Sequence, residues 1–265
     1  MDINEYIKVD KNEKPLERLA LDGGYVSIFR TMCCIGDSLS SGEFESKDKD
    51  GNTSWWDMMD YSWGQYIARH AGIKVYNFSR GGMTAKEYME SFSIENNMWD
   101  ERILESKAFT IALGVNDMFG QHQEIGSVKD VNLDDYSKNA TTFAGYYAQI
   151  IQKIQSMNPK AKIFLITMPK NTPEEDEIRI KCRDLYEDFT KLFKNTYLID
   201  LYTYTPRIEG EFNDTFYLGG HMTPMGYVLA SRIIESYIDY IIRHNPQDFK
   251  EVMWIGTDKQ FYYDK

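Results

Sequence analysis

The sequence has little cysteine and no long apolar run. Its 265 residues include three cysteines, of which Cys33 and Cys34 are adjacent. So few cysteines exclude the disulfide framework of a small secreted domain, and we expect reduced, buried thiols in a cytoplasmic protein. No apolar segment approaches the roughly 18–20 residues that a membrane-spanning helix needs. The N-terminal stretch MDINEYIKVDKNEKPLERLA is charged and lacks an apolar core, so we expect no signal peptide.

Positive charge is also scarce. The chain has 30 Lys and Arg against 41 Asp and Glu, a formal charge of −11. A field of this sign repels nucleic acid and anionic membranes, which leaves a small neutral molecule as the expected partner.

No spacing of Cys and His indicates zinc, and we expect neither a metal nor a cofactor. Residues 46–57 weakly resemble a calcium-binding loop, but Ser46 and Asp57 fail its pattern, so we predict a solvated loop there.

Short apolar runs alternate with helical patterns along most of the chain. Runs of this kind that end at polar or glycine residues are typical of buried strands, and strands that alternate with helices form a parallel sheet covered on both sides. The sequence therefore predicts one α/β domain over residues 1–265, a three-layer α/β/α sandwich. Its core is expected at about 28–245, with 1–27 and 246–265 packing on it. The five predicted strands are 31–36, 73–78, 109–114, 162–168 and 196–202.

Residues that can carry chemistry follow four of these strands. Ser38 follows the first strand, a turn containing Gly82 the second, Asn116 the third, and His221 comes after the fifth. The carboxyl ends of parallel strands meet at one edge of the sheet, where ligands bind. A hydroxyl, a base, an amide and an open backbone turn on one edge are the components of acyl transfer. Asp117, beside Asn116, is expected to be structural.

The turn at Gly82 also indicates a helix start. Thr84 followed by Glu87 matches a capping box, so a helix is predicted from about residue 85. A glycine just before it can bring its N–H close to a ligand. The N-terminus of a helix also favours developing negative charge.

These segments, in this order, resemble the GDSL or SGNH hydrolase family. The matching motifs are GDSLS (36–40), NFSRGGMT (77–84), GVND (114–117) and the late histidine in GGHMTP (219–224). The resemblance implies a flavodoxin-like fold with Ser38 as nucleophile and His221 as base. It also implies an oxyanion hole made by the Ser38 N–H, the Gly82 N–H and the Asn116 amide. Gly82, rather than Gly81, aligns with the family glycine.

The main departure from the family lies three residues before the histidine. The family usually has an aspartate there, whereas this chain has Leu218. Three alternatives could orient the imidazole: a backbone carbonyl in 217–219, which would make a Ser-His dyad, or the carboxylate of Asp214 or of Asp200. A carbonyl can fix the tautomer, but it stabilises an imidazolium less than a full charge does.

The resemblance implies a serine esterase, and we expect it to remove a short acyl group, most simply acetyl, from a carbohydrate. Trp55 and Trp56, in the insert after Ser38, could stack on the sugar or fold onto the core. The alternatives are a lysophospholipase or thioesterase, and a non-catalytic carbohydrate-binding protein on the same scaffold. A homo-oligomer is left open.

Overall fold

A five-stranded parallel sheet forms the centre of the computed structural model, which describes residue 7 and residues 9–261. Residues 1–6, 8 and 262–265, at the far ends of the two predicted extensions, lie outside this description. The spatial order is β4-β1-β5-β6-β7, and each neighbouring pair is parallel. Counted along the chain this is the doubly wound order 2-1-3-4-5. The strands are β1 (Thr31–Gly36), β4 (Lys74–Ser79), β5 (Ala108–Ala112), β6 (Lys162–Ile166) and β7 (Thr196–Ile199).

The helices follow the apolar periodicity and the caps in the sequence. Thr142 caps α6 and Thr223 caps α10, each by accepting a backbone N–H, and Pro224 occupies the first turn of α10. The α-helices are α1 (Ser38–Ser41), α2 (Trp63–Ala71), α3 (Ala85–Glu87), α4 (Ser93–Glu95), α5 (Glu101–Glu105), α6 (Phe143–Met157), α7 (Asp176–Leu192), α8 (Leu201–Tyr204), α9 (Gly210–Phe216), α10 (Pro224–His244) and α11 (Pro246–Phe249). Tyr88–Phe92 and Asn116–Gly120 are π-helical, and 3₁₀ turns cover Gly24–Phe29, Met59–Tyr61, Val128–Asp130, Tyr136–Lys138, Pro173–Glu175 and Val252–Trp254.

The helices pack around the sheet as a parallel sheet requires. Helix α10 packs with α2 and with the turn Gly24–Phe29. Helices α6 and α7 meet through Tyr147 and Tyr186, whose rings stack 4.7 Å apart. Their hydroxyls donate to the carbonyls of Ile111 (3.0 Å) and Leu113 (2.5 Å) at the end of β5. The predicted α/β/α architecture with a flavodoxin-like sheet is confirmed.

Two antiparallel hairpins lie outside the central sheet. Strands β2 (Glu43–Lys47) and β3 (Thr53–Asp57) form the first, so the prediction of a loop for 46–57 is wrong, although these residues are largely exposed, as predicted. Phe44 packs against Tyr61 and Tyr227 and so anchors the hairpin to the core. The mostly polar sequence of the segment does not predict this apolar contact. Strands β8 (Tyr217–Leu218) and β9 (His221–Met222) form the second hairpin, and β2 packs against β9.

The described parts of the terminal segments contact the helices. Glu13 accepts from the Arg243 guanidinium (2.7 Å), and its carbonyl accepts from the Tyr240 hydroxyl (3.2 Å). At the other end, Val252 and Ile255 are buried. The one-domain organisation of the whole chain stays a prediction. Within residue 7 and residues 9–261, no helix is both long enough and apolar enough to cross a bilayer.

Candidate active site

Ser38 begins a one-turn helix directly after β1. Asp37 caps this helix by accepting the Leu39 N–H (3.1 Å), and burial raises the pKa of the Asp37 carboxyl to about 7. The turn leaves no room for a side chain at Gly36, because a Cβ there would stand 2.5 Å from the Cβ of Ser40. The Ser38 hydroxyl makes no hydrogen bond to another described residue, so it is available to a substrate.

Gly82 and Asn116 lie at the neighbouring strand ends and contact the same turn. Gly82 has φ of +72°, a left-handed conformation that favours glycine, and a Cβ there would meet open space. The Asn116 amide donates to the carbonyl of Met83, the residue after Gly82, over 3.1 Å. One N–H of that amide is left over, and the Gly82 N–H has no acceptor within the described chain. These two N–H groups are therefore available to donate to an oxygen of a bound substrate.

The helix start after Gly82 is held by two side chains. Thr84 accepts the Glu87 N–H (3.1 Å), as predicted, but the Glu87 carboxylate pairs with Arg80 instead of completing the capping box. Asp117, as expected, is structural: its Oδ1 accepts the Ala85 N–H over 2.8 Å. Burial raises the pKa of the Asp117 carboxyl to about 7.

His221 is the first residue of β9, and its side chain is largely buried. The β8–β9 turn passes through Gly219, which has φ of +67°, and Gly220. Tyr227, on helix α10 six residues after His221, connects this region to the nucleophile segment. Its hydroxyl lies 3.4 Å from the carbonyl oxygen of Ser38 and 2.7 Å from that of Glu43.

Two carboxylates that the sequence analysis missed flank the imidazole. Glu43 Oε1 lies 2.9 Å from His221 Nε2, and Glu45 Oε2 lies 3.8 Å from Nδ1. Glu45 Oε2 also accepts the Gly220 N–H (3.1 Å). The available signal was the spacing: Glu43 and Glu45 are two apart, so on a strand they share a face, five and seven residues after Ser38.

The three alternatives proposed for the missing acid are not at the imidazole. Asp214 lies exposed on α9, with no ion pair or hydrogen bond to His221. Asp200 is buried and binds the Thr203 N–H and Arg183. No carbonyl of 217–219 accepts the Nδ1–H, because Nδ1 is buried and has no hydrogen-bond partner within the described chain.

An apolar cavity lies behind the candidate catalytic residues. Its volume is about 110 Å³, and its walls come from the ends of β5 and β6, from α9 and from α10. Leu39, Val115 and Met222, the chain neighbours of Ser38, Asn116 and His221, also line it. Ser38, Asn116 and His221 themselves do not line the cavity.

The two tryptophans lie on opposite faces of the β2–β3 hairpin. Trp55 is directly opposite Glu45, so it shares the face of Glu43 and Glu45, and it is 56% exposed. Trp56 is opposite Phe44, and its indole N–H lies 3.1 Å from the Ser46 hydroxyl. Only Trp55 therefore shares the face that carries the two carboxylates.

Within the described chain, no group of three or more His, Cys, Asp or Glu side chains is arranged to hold a metal ion.

Several solved structures share the fold. A family two carbohydrate esterase from Clostridium thermocellum, solved with cellohexaose, is 16% identical, with a TM-score of 0.55 over 89% of this chain and 66% of that one. A carbohydrate acetylesterase from Sinorhizobium meliloti is 13% identical, with a TM-score of 0.52 over 80% of this chain and 99% of that one. A possible lipase from Chitinophaga pinensis is 16% identical, with a TM-score of 0.51 over 82% and 98%.

No curated protein sequence matches the chain. A family model does match it: the model for the GDSL-like lipase/acylhydrolase family covers residues 32–233. Because that match spans most of the chain, the protein belongs to the GDSL-like lipase/acylhydrolase family and is a hydrolase that acts on esters.

Proposed function

We propose that the protein is a serine esterase that removes a short acyl group, with acetyl as the first candidate, from a carbohydrate. Ser38 Oγ attacks the ester carbonyl carbon while His221 takes the hydroxyl proton. The resulting tetrahedral oxyanion collapses, and the sugar oxygen leaves with that proton. Water then repeats the sequence on the acyl-enzyme, which releases the acid and restores Ser38.

The observation that carries this proposal is a pair of N–H donors, from Gly82 and Asn116, that have no acceptor within the described chain and follow the two strands on either side of the Ser38 strand. Ser38 begins a helix, Gly82 has an N–H without an acceptor, and Asn116 has a spare amide N–H beside the same turn. Fixed donors of this kind stabilise the charge that develops on the carbonyl oxygen. The ester hydrolases of the family supply the reaction class.

The nucleophile is tested with p-nitrophenyl acetate. Ser38→Ala should reduce kcat to the background rate, while Ser40→Ala, a buried serine two residues further along the same helix, should retain turnover. Thermal unfolding of both variants checks that the fold is intact. Turnover that survives Ser38→Ala, or no turnover by the starting protein, would overturn the proposal.

A carbohydrate as the alcohol portion is supported by Trp55. An exposed indole on the face that holds Glu43 and Glu45 gives a sugar ring a flat apolar surface beside the reacting centre. The fold is also that of proteins described as carbohydrate esterases. These observations favour a sugar over a lipid alcohol.

Trp56, on the opposite face of the β2–β3 hairpin, is a matched control for a test of Trp55. Trp55→Ala should raise the KM for an acetylated oligosaccharide by about 3–10-fold, the loss of one aromatic contact. The same change should leave kcat/KM for ethyl acetate, which has no ring, nearly unchanged. Trp56→Ala, on the other face, should affect neither substrate. Equal effects of the two substitutions would remove Trp55 from the sugar site.

The apolar cavity favours a second candidate, an acylhydrolase for longer chains of the lysophospholipase or thioesterase type. Its lining residues adjoin Ser38, Asn116 and His221 in the chain, and its volume of about 110 Å³ exceeds what an acetyl methyl needs. A series of p-nitrophenyl esters from acetyl to octanoyl separates the two. A kcat/KM that is highest for acetyl supports the carbohydrate esterase, whereas a steady rise toward octanoyl supports the second candidate.

The remaining properties stay predictions. All three thiols are free and buried, and the cytoplasmic location rests on the composition. The exclusion of nucleic acid and membrane partners rests on the acidic charge, and the oligomeric state is open. If the protein is instead a non-catalytic carbohydrate-binding protein, we expect no turnover with any ester in the series.

A further inference from the structure

We propose that Glu43 is the positioning residue that replaces the missing acid, so that the site is a Ser38–His221–Glu43 triad. This inference rests on the proposed function. It places the carboxylate five residues after the nucleophile, on strand β2, rather than three residues before the histidine.

The geometry at the imidazole singles out Glu43. Its Oε1 lies 2.9 Å from His221 Nε2, a hydrogen-bond distance, and the two side chains are almost equally shielded, at 14% and 13% exposed. A charge-assisted bond of this length is stronger when solvent is largely excluded. The pair is therefore built to hold the ring in one orientation.

Glu45 has a different role. At 3.8 Å its Oε2 is too far from Nδ1 for a hydrogen bond, and that same oxygen accepts the Gly220 N–H. A Cβ on Gly219 would stand 2.3 Å from it, so the carboxylate lies directly against the β8–β9 turn. Glu45 holds the hairpin that carries His221, and Glu43 holds the ring.

The position of Glu43 is determined by residues from three other elements. Tyr227, on α10, donates to the Glu43 carbonyl (2.7 Å). Gly81, after β4, leaves room for the carboxylate, because a Cβ there would stand 1.8 Å from Glu43 Oε2. Asp57 is directly opposite on β3.

The charges around Glu43 make the pairing with His221 necessary. Burial raises the pKa of the Glu43 carboxyl; His221 lowers it and Asp57 raises it. Asp37 and Glu45 are the other carboxyls near the pair. Among the described residues, His221 is the one basic side chain paired with the Glu43 carboxylate, so an imidazolium formed during catalysis would be stabilised there.

The hydrogen bond also assigns the protons. With Nε2–H donating to Glu43, the neutral imidazole keeps its lone pair on Nδ1, which is buried and has no other partner within the described chain. Nδ1 is then the ring nitrogen left to take the Ser38 proton as the Oγ–C bond forms and to return that proton to the leaving oxygen. Glu43 remains ionised throughout and stabilises the intermediate imidazolium.

The test replaces the charge and keeps the shape. Glu43→Gln should lower kcat by about 10²–10⁴-fold, the upper value being the loss known for a triad acid changed to its amide, with KM changed less than about threefold. Glu45→Gln, the matched control on the same face, keeps an oxygen for the Gly220 N–H and should stay within about fivefold. Glu43→Asp, which keeps the charge, should retain more activity than Glu43→Gln.

A second readout does not need turnover. In the Ser38→Ala background, the NMR signal of the His221 Nε2–H proton should move upfield after Glu43→Gln, because a neutral amide oxygen replaces the charged acceptor. An unchanged signal, or a Glu43→Gln kcat within about fivefold of the starting protein, would overturn the inference. A protein that hydrolyses no ester but shows the NMR shift would lose its proposed function and keep this pair.

Discussion

Two segments approach His221 from different parts of the chain, and they differ in the charge that they bring. Residues 210–220, which directly precede the histidine, carry Asp214 on an exposed helix and Leu218 on β8, with no carboxylate at the ring. Strand β2, which follows the nucleophile, brings the Glu43 and Glu45 carboxylates to within 2.9 and 3.8 Å of the two ring nitrogens.

The difference follows from how each segment is packed. Leu218 is paired with His221 across a hairpin and is 60% exposed, so that position has access to the imidazole but carries no charge. Strand β2 contacts β9, and Tyr227 holds it there, because its ring packs on Phe44 and its hydroxyl donates to the Glu43 carbonyl. Which segment is held against the histidine decides where a carboxylate can reach the ring. The number of residues between the acid and the histidine in the sequence does not decide it.

The largest effect that would test this comparison comes from Gly81→Ala. The added Cβ would stand 1.8 Å from Glu43 Oε2, so the carboxylate would have to leave His221. We expect kcat to fall by about 10²-fold, measured with p-nitrophenyl acetate, by loss of the orienting charge.

A double-mutant cycle supplies the control for Gly81→Ala. In the Glu43→Gln background the same glycine substitution should cost less than about threefold, because the interaction is already gone. A cost that is the same in both backgrounds would show that Gly81 acts through its own backbone and not through Glu43.

An intermediate effect comes from restoring the acid at the family position. Leu218→Asp in the Glu43→Gln background should raise kcat by about tenfold, because directly paired side chains have Cβ atoms roughly 5 Å apart and a carboxylate there can reach the ring. Leu218→Asn, which has the same shape without the charge, should give no gain. Equal rates for the two variants would mean that β8 cannot replace β2.

The smallest effect is expected at Asp214. Because this side chain is exposed on α9 and makes no ion pair or hydrogen bond with His221, Asp214→Asn should change kcat by less than about twofold. Thermal unfolding should be equally insensitive. A loss of tenfold or more in kcat would return the acid to the segment before the histidine and contradict the comparison.

The sequence was sufficient for those parts of the molecule that depend on local patterns. Apolar runs located all five central strands, and the residues after three of them included Ser38, Gly82 and Asn116; the catalytic roles of these residues and of His221 stay predictions. It was insufficient for Glu43 and Glu45, because residues 46–57 are polar and gave no sign that the segment folds back as a hairpin. Glu87 shows the same limit on a smaller scale, since Arg80 competes for the carboxylate that the capping box needed.

The β8–β9 hairpin has a consequence for how this enzyme would lose activity on heating. Three of the four candidate catalytic positions stand at the ends of central strands, but His221 belongs to a sheet of two strands with two residues each. Such a small sheet is not stable by itself and depends on what packs against it. The candidate base therefore lies in the part of the site that we expect to open with less free energy than global unfolding requires. We expect catalysis to stop at temperatures where the central sheet is still intact.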